Sequence, residues 1–162
     1  MPAYKVIAVL AVFTGLRVLS GEPMPDSLDL TPHHITVSVA DLDRAVKWYQ
    51  EKLGLTVVLR KTQENPSLSI AWMKMGGFRI DLIQYKGSFK PKVPSDHLLM
   101  QGWGHIVFST ADVDHEYQLL KARGANPSGP KTSKEFHNRT FYVQDSDGNY
   151  IEIYQEDPAK FK

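Results

Sequence analysis

Two stretches decide the fold: HITVSVADLD at His34–Asp43 and HIVFSTADVD at His105–Asp114. A shift of 71 residues (105 − 34) lays His34 on His105, Ile35 on Ile106, Ser38 on Ser109 and Asp41 on Asp112. The same shift carries GGFRIDLIQ at 76–84 onto DGNYIEIYQ at 147–155, with Gly77 on Gly148, Ile80 on Ile151, Asp81 on Glu152 and Gln84 on Gln155. Two separate blocks in one register mark an internal duplication. The units run over residues 32–86 and 103–156.

Each unit can be read from its hydrophobic period. His34, Thr36 and Ser38 alternate with Ile35, Val37 and Val39, the period of a half-buried strand. Asp41 or Asp43 then caps a helix with Leu42, Ala45, Val46, Tyr49 and Leu53 at helical spacing, closed by Gly54. Leu55–Arg60, Leu68–Met75 and Phe78–Tyr85 read as three strands, the last two joined at Gly76-Gly77. The order is βαβββ. The second unit repeats it: a strand over 105–110, a helix over 112–123, and strands near 126–131, 138–144 and 149–155, with Asp147-Gly148 as the hairpin turn. The predicted fold class is α+β: two tandem βαβββ modules forming a cupped mixed sheet with the helices outside. Residues 32–156 form that single domain, the segment 87–102 joins the modules over the surface, and 157–162 is a tail.

Composition narrows the chemistry. The 162 residues are 42% hydrophobic and 23% charged, which is globular. Nineteen basic and eighteen acidic side chains leave a net charge of +1, so no electrostatic excess points to nucleic acid. There is no cysteine, which removes disulfides and thiolate metal sites together. Val6–Leu16, VIAVLAVFTGL, is too short for a bilayer span and fits the apolar region of a signal peptide over residues 1–20, cut before Gly21. The alternative is a terminal strand or helix packed on the domain. Residues 21–31 read as a linker. The leader favours a periplasmic or secreted protein over a cytoplasmic one, with no membrane in the mature form.

The repeat also makes a chemical statement. His34 and His105 open the two first strands, and Asp81 and Glu152 lie midway along the two last. If Ile80, Leu82, Ile151 and Ile153 pack on the helices, all four polar side chains face the concave side and two equivalent pairs converge there. Two imidazoles and two carboxylates suit one divalent first-row ion: Zn, Ni, Co, Mn or Fe(II). The competing reading leaves each a solvated or hydrogen-bonded side chain. His33 is out of phase and is expected to face the helices or solvent. His115 reads as helix surface, and His97 and His137 as loop residues within reach of a substrate.

The stretches HHITVSVADLDRAVKWYQEKLGL, GHIVFSTADVD and FYVQDSDGNYIEIYQ resemble the vicinal oxygen chelate superfamily, which includes glyoxalase I, bleomycin-resistance proteins and extradiol dioxygenases. The resemblance spans residues 32–156. In glyoxalase-like members it implies a metal on His34, Asp81, His105 and Glu152, although Asp81 stands where glutamate is usual. Extradiol enzymes imply only His34, His105 and Glu152, with Tyr142 as a pocket tyrosine. The leading expectation is a metal-dependent lyase or isomerase acting on a small substrate with two neighbouring oxygens, through an enediolate-type intermediate, with Glu152 as base. A ferrous dioxygenase is the second. A non-catalytic small-molecule binding or resistance protein is the third, with Trp72, Tyr85, Trp103, Tyr142 and Tyr154 as stacking surface. Trp48 and Phe141 are expected in the core. The family often pairs into homodimers, and whether the cup closes within one chain or between two is left open by the sequence.

Overall fold

The computed structural model describes residues 30–64, 67–92, 94 and 96–157. The leader, nearly all of the linker and most of the tail lie outside the described residues. A compact unit begins at His33, and its elements follow the duplicated order. Module 1 comprises β1 (Ile35–Ser38), α1 (Leu42–Trp48), β2 (Thr56–Gln63), β3 (Leu68–Met75) and β4 (Phe78–Tyr85). Module 2 comprises β5 (Ile106–Ser109), α2 (Val113–Ala122), β6 (Lys131–Ser133), β7 (Asn138–Gln144) and β8 (Tyr150–Glu156). Each forms a four-stranded mixed sheet, ordered β1-β4-β3-β2 and β5-β8-β7-β6. The first strand runs parallel to the last, and the remaining pairs are antiparallel.

The helices start the same way in both modules. Asp41, not Asp43, caps α1 by accepting the Arg44 N–H at 2.9 Å, and Asp112 accepts the His115 N–H at 2.9 Å. A second acceptor arrives from the sheet. Gln84 Oε1 takes the Leu42 N–H at 2.8 Å and Gln155 Oε1 takes the Val113 N–H at 3.0 Å. Two of the orphan donors that every helix start exposes are thereby satisfied, one locally and one from the last strand. This ties each helix to its own sheet and explains why glutamine recurs in both halves. After Trp48 the helix widens into a π turn over Tyr49–Leu53, and Gly54 ends it at φ 79°, a left-handed conformation that costs a side-chain-bearing residue more.

Leu42, Ala45, Val46, Tyr49, Ala71, Met73, Ile80 and Leu82 are buried in module 1. Val113, Leu120, Phe141, Val143, Ile151 and Ile153 are buried in module 2. The isoleucine face of each last strand therefore packs on the helix, as alternation requires. Phe141 belongs to the core; Trp48 is half-buried, set edge-on against Tyr49. The strand expected near 126–131 instead begins at Lys131. Pro127 and Pro130 have no N–H to give a ladder, so this edge is held irregularly, by the Ser128 N–H on the Tyr142 carbonyl at 2.7 Å and the Tyr142 N–H on Ser128 Oγ at 2.9 Å.

The modules are tied together by polar contacts at the helix ends. Lys52 and Arg123 occupy equivalent repeat positions, and each donates to the other's main-chain carbonyl, Arg123 Nη1 at 2.6 Å. The β7–β8 hairpin receives α1: Asp147 Oδ1 accepts from the Ala40 N–H at 2.9 Å and from Arg44 Nη2 at 3.2 Å. Tyr49, fully buried, donates its hydroxyl to Asp145 Oδ2 at 2.9 Å. Asp145 is buried too and also accepts the N–H groups of Asp147 and Asn149. Burial first, and then the Asp145 charge, push the Tyr49 hydroxyl far above the ordinary phenol range. Phe78 and Phe108 meet edge to face at 5.7 Å across the same junction.

Candidate functional site

The strand phase places the predicted side chains opposite the helices. Across the parallel ladder Asp81 stands beside Thr36 and Glu152 beside Val107. Across the antiparallel ladder Trp72 stands beside Asp81 and Tyr142 beside Glu152, an equivalence that the shift of 71 misses by one residue. Asp81 and Glu152 are buried, at 5% and 9% exposure, on the face opposite α1 and α2. Burying a carboxylate is costly unless it is paired.

Both are paired, in parallel fashion. In module 2 the His105 Nε2 lies 2.8 Å from Glu152 Oε2, while its Nδ1 lies 3.0 Å from His97 Nε2. In module 1 the His34 Nε2 lies 3.5 Å from Asp81 Oδ2, and its Nδ1 lies 2.7 Å from His33 Nδ1. Each inner histidine thus turns Nε2 to a buried carboxylate and has Nδ1 occupied by an outer histidine. The carboxylates have further partners. Thr140 Oγ1 lies 2.6 Å from Glu152 Oε1 and 2.9 Å from the Ile153 carbonyl, with one proton to give. Arg79 Nη2 donates to Asp81 Oδ2 at 3.0 Å, and its Nε stands 2.8 Å from Oδ1 as an ion-pair contact whose N–H is not aimed at the oxygen. The Arg79 guanidinium lies 4.3 Å over the Trp72 ring, which holds it there.

The two pairs do not gather at one point. Among the described residues no three His, Cys, Asp or Glu side chains surround a single position, so the convergence expected from the repeat does not occur within one chain. Each pair belongs to its own four-stranded sheet, and the cleft between the modules is lined by the two inner histidines but by neither carboxylate. What lies between the modules is a cleft of about 790 Å3, lined by β1 and β5 residues including His34, Thr36, His105 and Val107, and by Phe78 and Trp103.

Trp103 is 96% exposed on that cleft. Tyr85 and Tyr154 fall on the carboxylate faces of their sheets by alternation and do not line it. Tyr142 packs edge-on against His105 at 5.3 Å; burial, and then the Glu152 charge, raise its hydroxyl pKa. His33 is exposed yet touches His34, and His115 is exposed on α2. His97 sits in a short 3-10 turn, His97–Leu99, where it touches His105 and also lines the cleft. Sequence reasoning missed Arg79 and Thr140. Arg79 was within reach of it, two residues before Asp81 on the same strand face; Thr140 needed the β7–β8 pairing.

The four polar positions fit a divalent ion in their donor chemistry. An imidazole whose second nitrogen is held and a carboxylate whose second oxygen is held are the usual surroundings of metal ligands. His34 and His105 have Nδ1 held by His33 and His97, and Glu152 has Oε1 held by Thr140, whereas in Asp81 it is Oδ2, the oxygen nearer His34, that accepts from Arg79.

A family model described as the Glyoxalase/Bleomycin resistance protein/Dioxygenase superfamily matches residues 31–153. Lactoylglutathione lyase GLX1 of Arabidopsis thaliana is 27% identical over 131 residues, covering 78% of this chain and 44% of that protein. The chain thus spans less than half the length of that plant relative. Lactoylglutathione lyase of Haemophilus influenzae is 27% identical over 136 residues, covering 78% of this chain and 93% of that one. A crystal structure of a glyoxalase family protein from Enterococcus faecalis shares the fold with a TM-score of 0.68 at 18% identity, over 76% of this chain and 96% of that chain. The duplicated βαβββ architecture and the family match agree: the chain belongs to the glyoxalase/bleomycin resistance protein/dioxygenase superfamily.

Proposed function

We propose that the protein is a glyoxalase-like lyase or isomerase whose site is completed by a second copy of the chain. The observation that carries this reading is the repeated half-site: an inner histidine with its Nε2 facing a buried carboxylate and its Nδ1 held, once in each module. Two half-sites on one chain that do not meet are what a twofold pair of chains can join, His34 and Asp81 of one with His105 and Glu152 of the other. The faces concerned are open. Val107 and Tyr85, beside the two pairs, are 49% and 46% exposed.

A divalent ion held by these residues would supply Lewis-acid stabilisation of negative charge on two neighbouring substrate oxygens. The protein's own residues do the rest. Glu152, held at Oε1 by Thr140, takes the proton from the carbon beside the carbonyl and returns it to the neighbouring carbon, so the reaction is balanced without an oxidant. His34 and His105 are kept in one orientation by their outer partners. Tyr142 and the half-buried Trp72 exclude water from the carboxylates opposite them. One observation favours a second reading: Arg79 already neutralises Asp81, which suits a three-residue set of His34, His105 and Glu152 and the dioxygenase class.

Mixing chains tests the proposal. His34→Ala and Glu152→Gln homodimers each lack a member of every site, whereas a mixed dimer contains one intact site. Purified single variants without bound metal, and recovery of metal and of lactoylglutathione-forming activity on mixing, are expected. No recovery in a verified mixed dimer would refute the shared site, and a wild-type chain free of zinc, nickel, cobalt, manganese and iron would refute the metal.

A further inference from the structure

His97 is the one outer histidine supplied by the segment between the modules, and the duplication contains no counterpart for it. It is held on several sides. Its ring stacks on Tyr150 at 4.0 Å and 13°, stands edge-on to Tyr142 at 5.5 Å, and places Nε2 at 3.0 Å from His105 Nδ1. Only 8% of the residue is exposed. Tyr150 stands in module 2 where Arg79 stands in module 1, so the platform under His97 is also peculiar to this half.

We propose that His97 is a positioning residue for His105: when a cation takes the place of the proton between His105 Nε2 and Glu152 Oε2, His97 Nε2 accepts the His105 Nδ1 proton and so presents the His105 Nε2 lone pair to that cation. The proposal rests on the metal-binding reading above and names the residue that sets one ligand's tautomer. A histidine ligand must leave the metal-facing nitrogen unprotonated, and the partner of the other nitrogen decides this. His97 suits the acceptor role because its ring, stacked on Tyr150, is held with Nε2 3.0 Å from His105 Nδ1. A water molecule in its place would accept the same proton without fixing the ring plane; the Tyr150 stack fixes it.

The experiment separates the hydrogen bond from the packing. His97→Phe keeps a flat ring for Tyr150 and removes the nitrogen, and His97→Gln restores an acceptor; His97→Leu replaces Phe if that variant does not fold. Zinc affinity is measured by chelator competition on the full-length chain, and the His105 ring nitrogens are followed by 15N NMR in the metal-free protein. Expected are a loss of about 10- to 100-fold in zinc affinity for His97→Phe, near-native affinity for His97→Gln, and a displaced His105 Nδ1 resonance in His97→Phe. Native zinc affinity together with unmoved ring nitrogens in folded His97→Phe would overturn the assignment. A wild-type chain that binds no zinc brings down the metal reading instead, and the ring-nitrogen comparison alone then decides the His97–His105 pairing.

Discussion

Tyr49→Phe removes one hydroxyl and tests how α1 is docked on module 2. The ring is fully buried and its hydroxyl meets Asp145 Oδ2 at 2.9 Å. A hydrogen bond to a charged group contributes about 1.5–3 kcal/mol. Asp145 keeps three other donors, the N–H groups of Asp147 and Asn149 and the Asn149 side chain, so the loss belongs near the lower end, about 2 kcal/mol. The pH dependence is more diagnostic. The folded pKa lies above the unfolded value of 10.0, so the contribution is complete below pH 10 and declines as pH rises above it. Beyond that point the unfolded chain ionises Tyr49 and the folded chain does not, which removes about 1.4 kcal/mol per pH unit from the wild type alone. Urea unfolding of both proteins at pH 8 and pH 11 measures this. The other tyrosines titrate in both proteins and cancel in the difference. The expected gap is about 2 kcal/mol at pH 8 and about 0.6 kcal/mol at pH 11. A gap that stays constant over that range refutes the buried Tyr49–Asp145 contact and, with it, this account of the module junction.

Gln84→Ala and Gln155→Ala each orphan the first helix donor, and each is expected to cost about 1 kcal/mol by urea unfolding, with the double variant close to the sum because the two sites share no partner. Glu152→Gln should keep the native circular dichroism spectrum and lose bound metal and turnover, since the amide fits where the carboxylate stood; an unfolded variant would assign Glu152 a structural ion pair with His105 instead. Asp81→Ala separates the two metal sets: loss of metal is expected if four residues bind it, whereas a full complement of iron with catechol-dependent oxygen uptake would establish the three-residue set. Arg79→Ala frees Asp81 from its ion pair and is expected to tighten metal binding in the first case and leave it unchanged in the second, read by chelator competition.

The duplication, the strand phase and the mixed α+β class were all readable in the chain itself. A shift of 71 that returns histidine on histidine and acid on acid needs no coordinates, and alternation alone assigns Ile80 and Ile151 to the helix side and Asp81 and Glu152 to the other. Local rules reached that far because strands have a period of two and helices have caps. Tertiary structure decided what local rules do not encode. It put Asp147 and Asp145 under α1, made the repeated glutamines into helix caps, and selected Asp41 over Asp43. It brought Arg79 onto Asp81 and His97 onto His105, contacts set by side-chain reach across strands and by the path of the joining segment. Above all it kept the two histidine–carboxylate pairs on separate sheets. A repeat specifies that two half-sites are alike, but their relative position depends on how two folded modules pack, and the polar contacts that pack them join residues 71 to 107 positions apart in the chain.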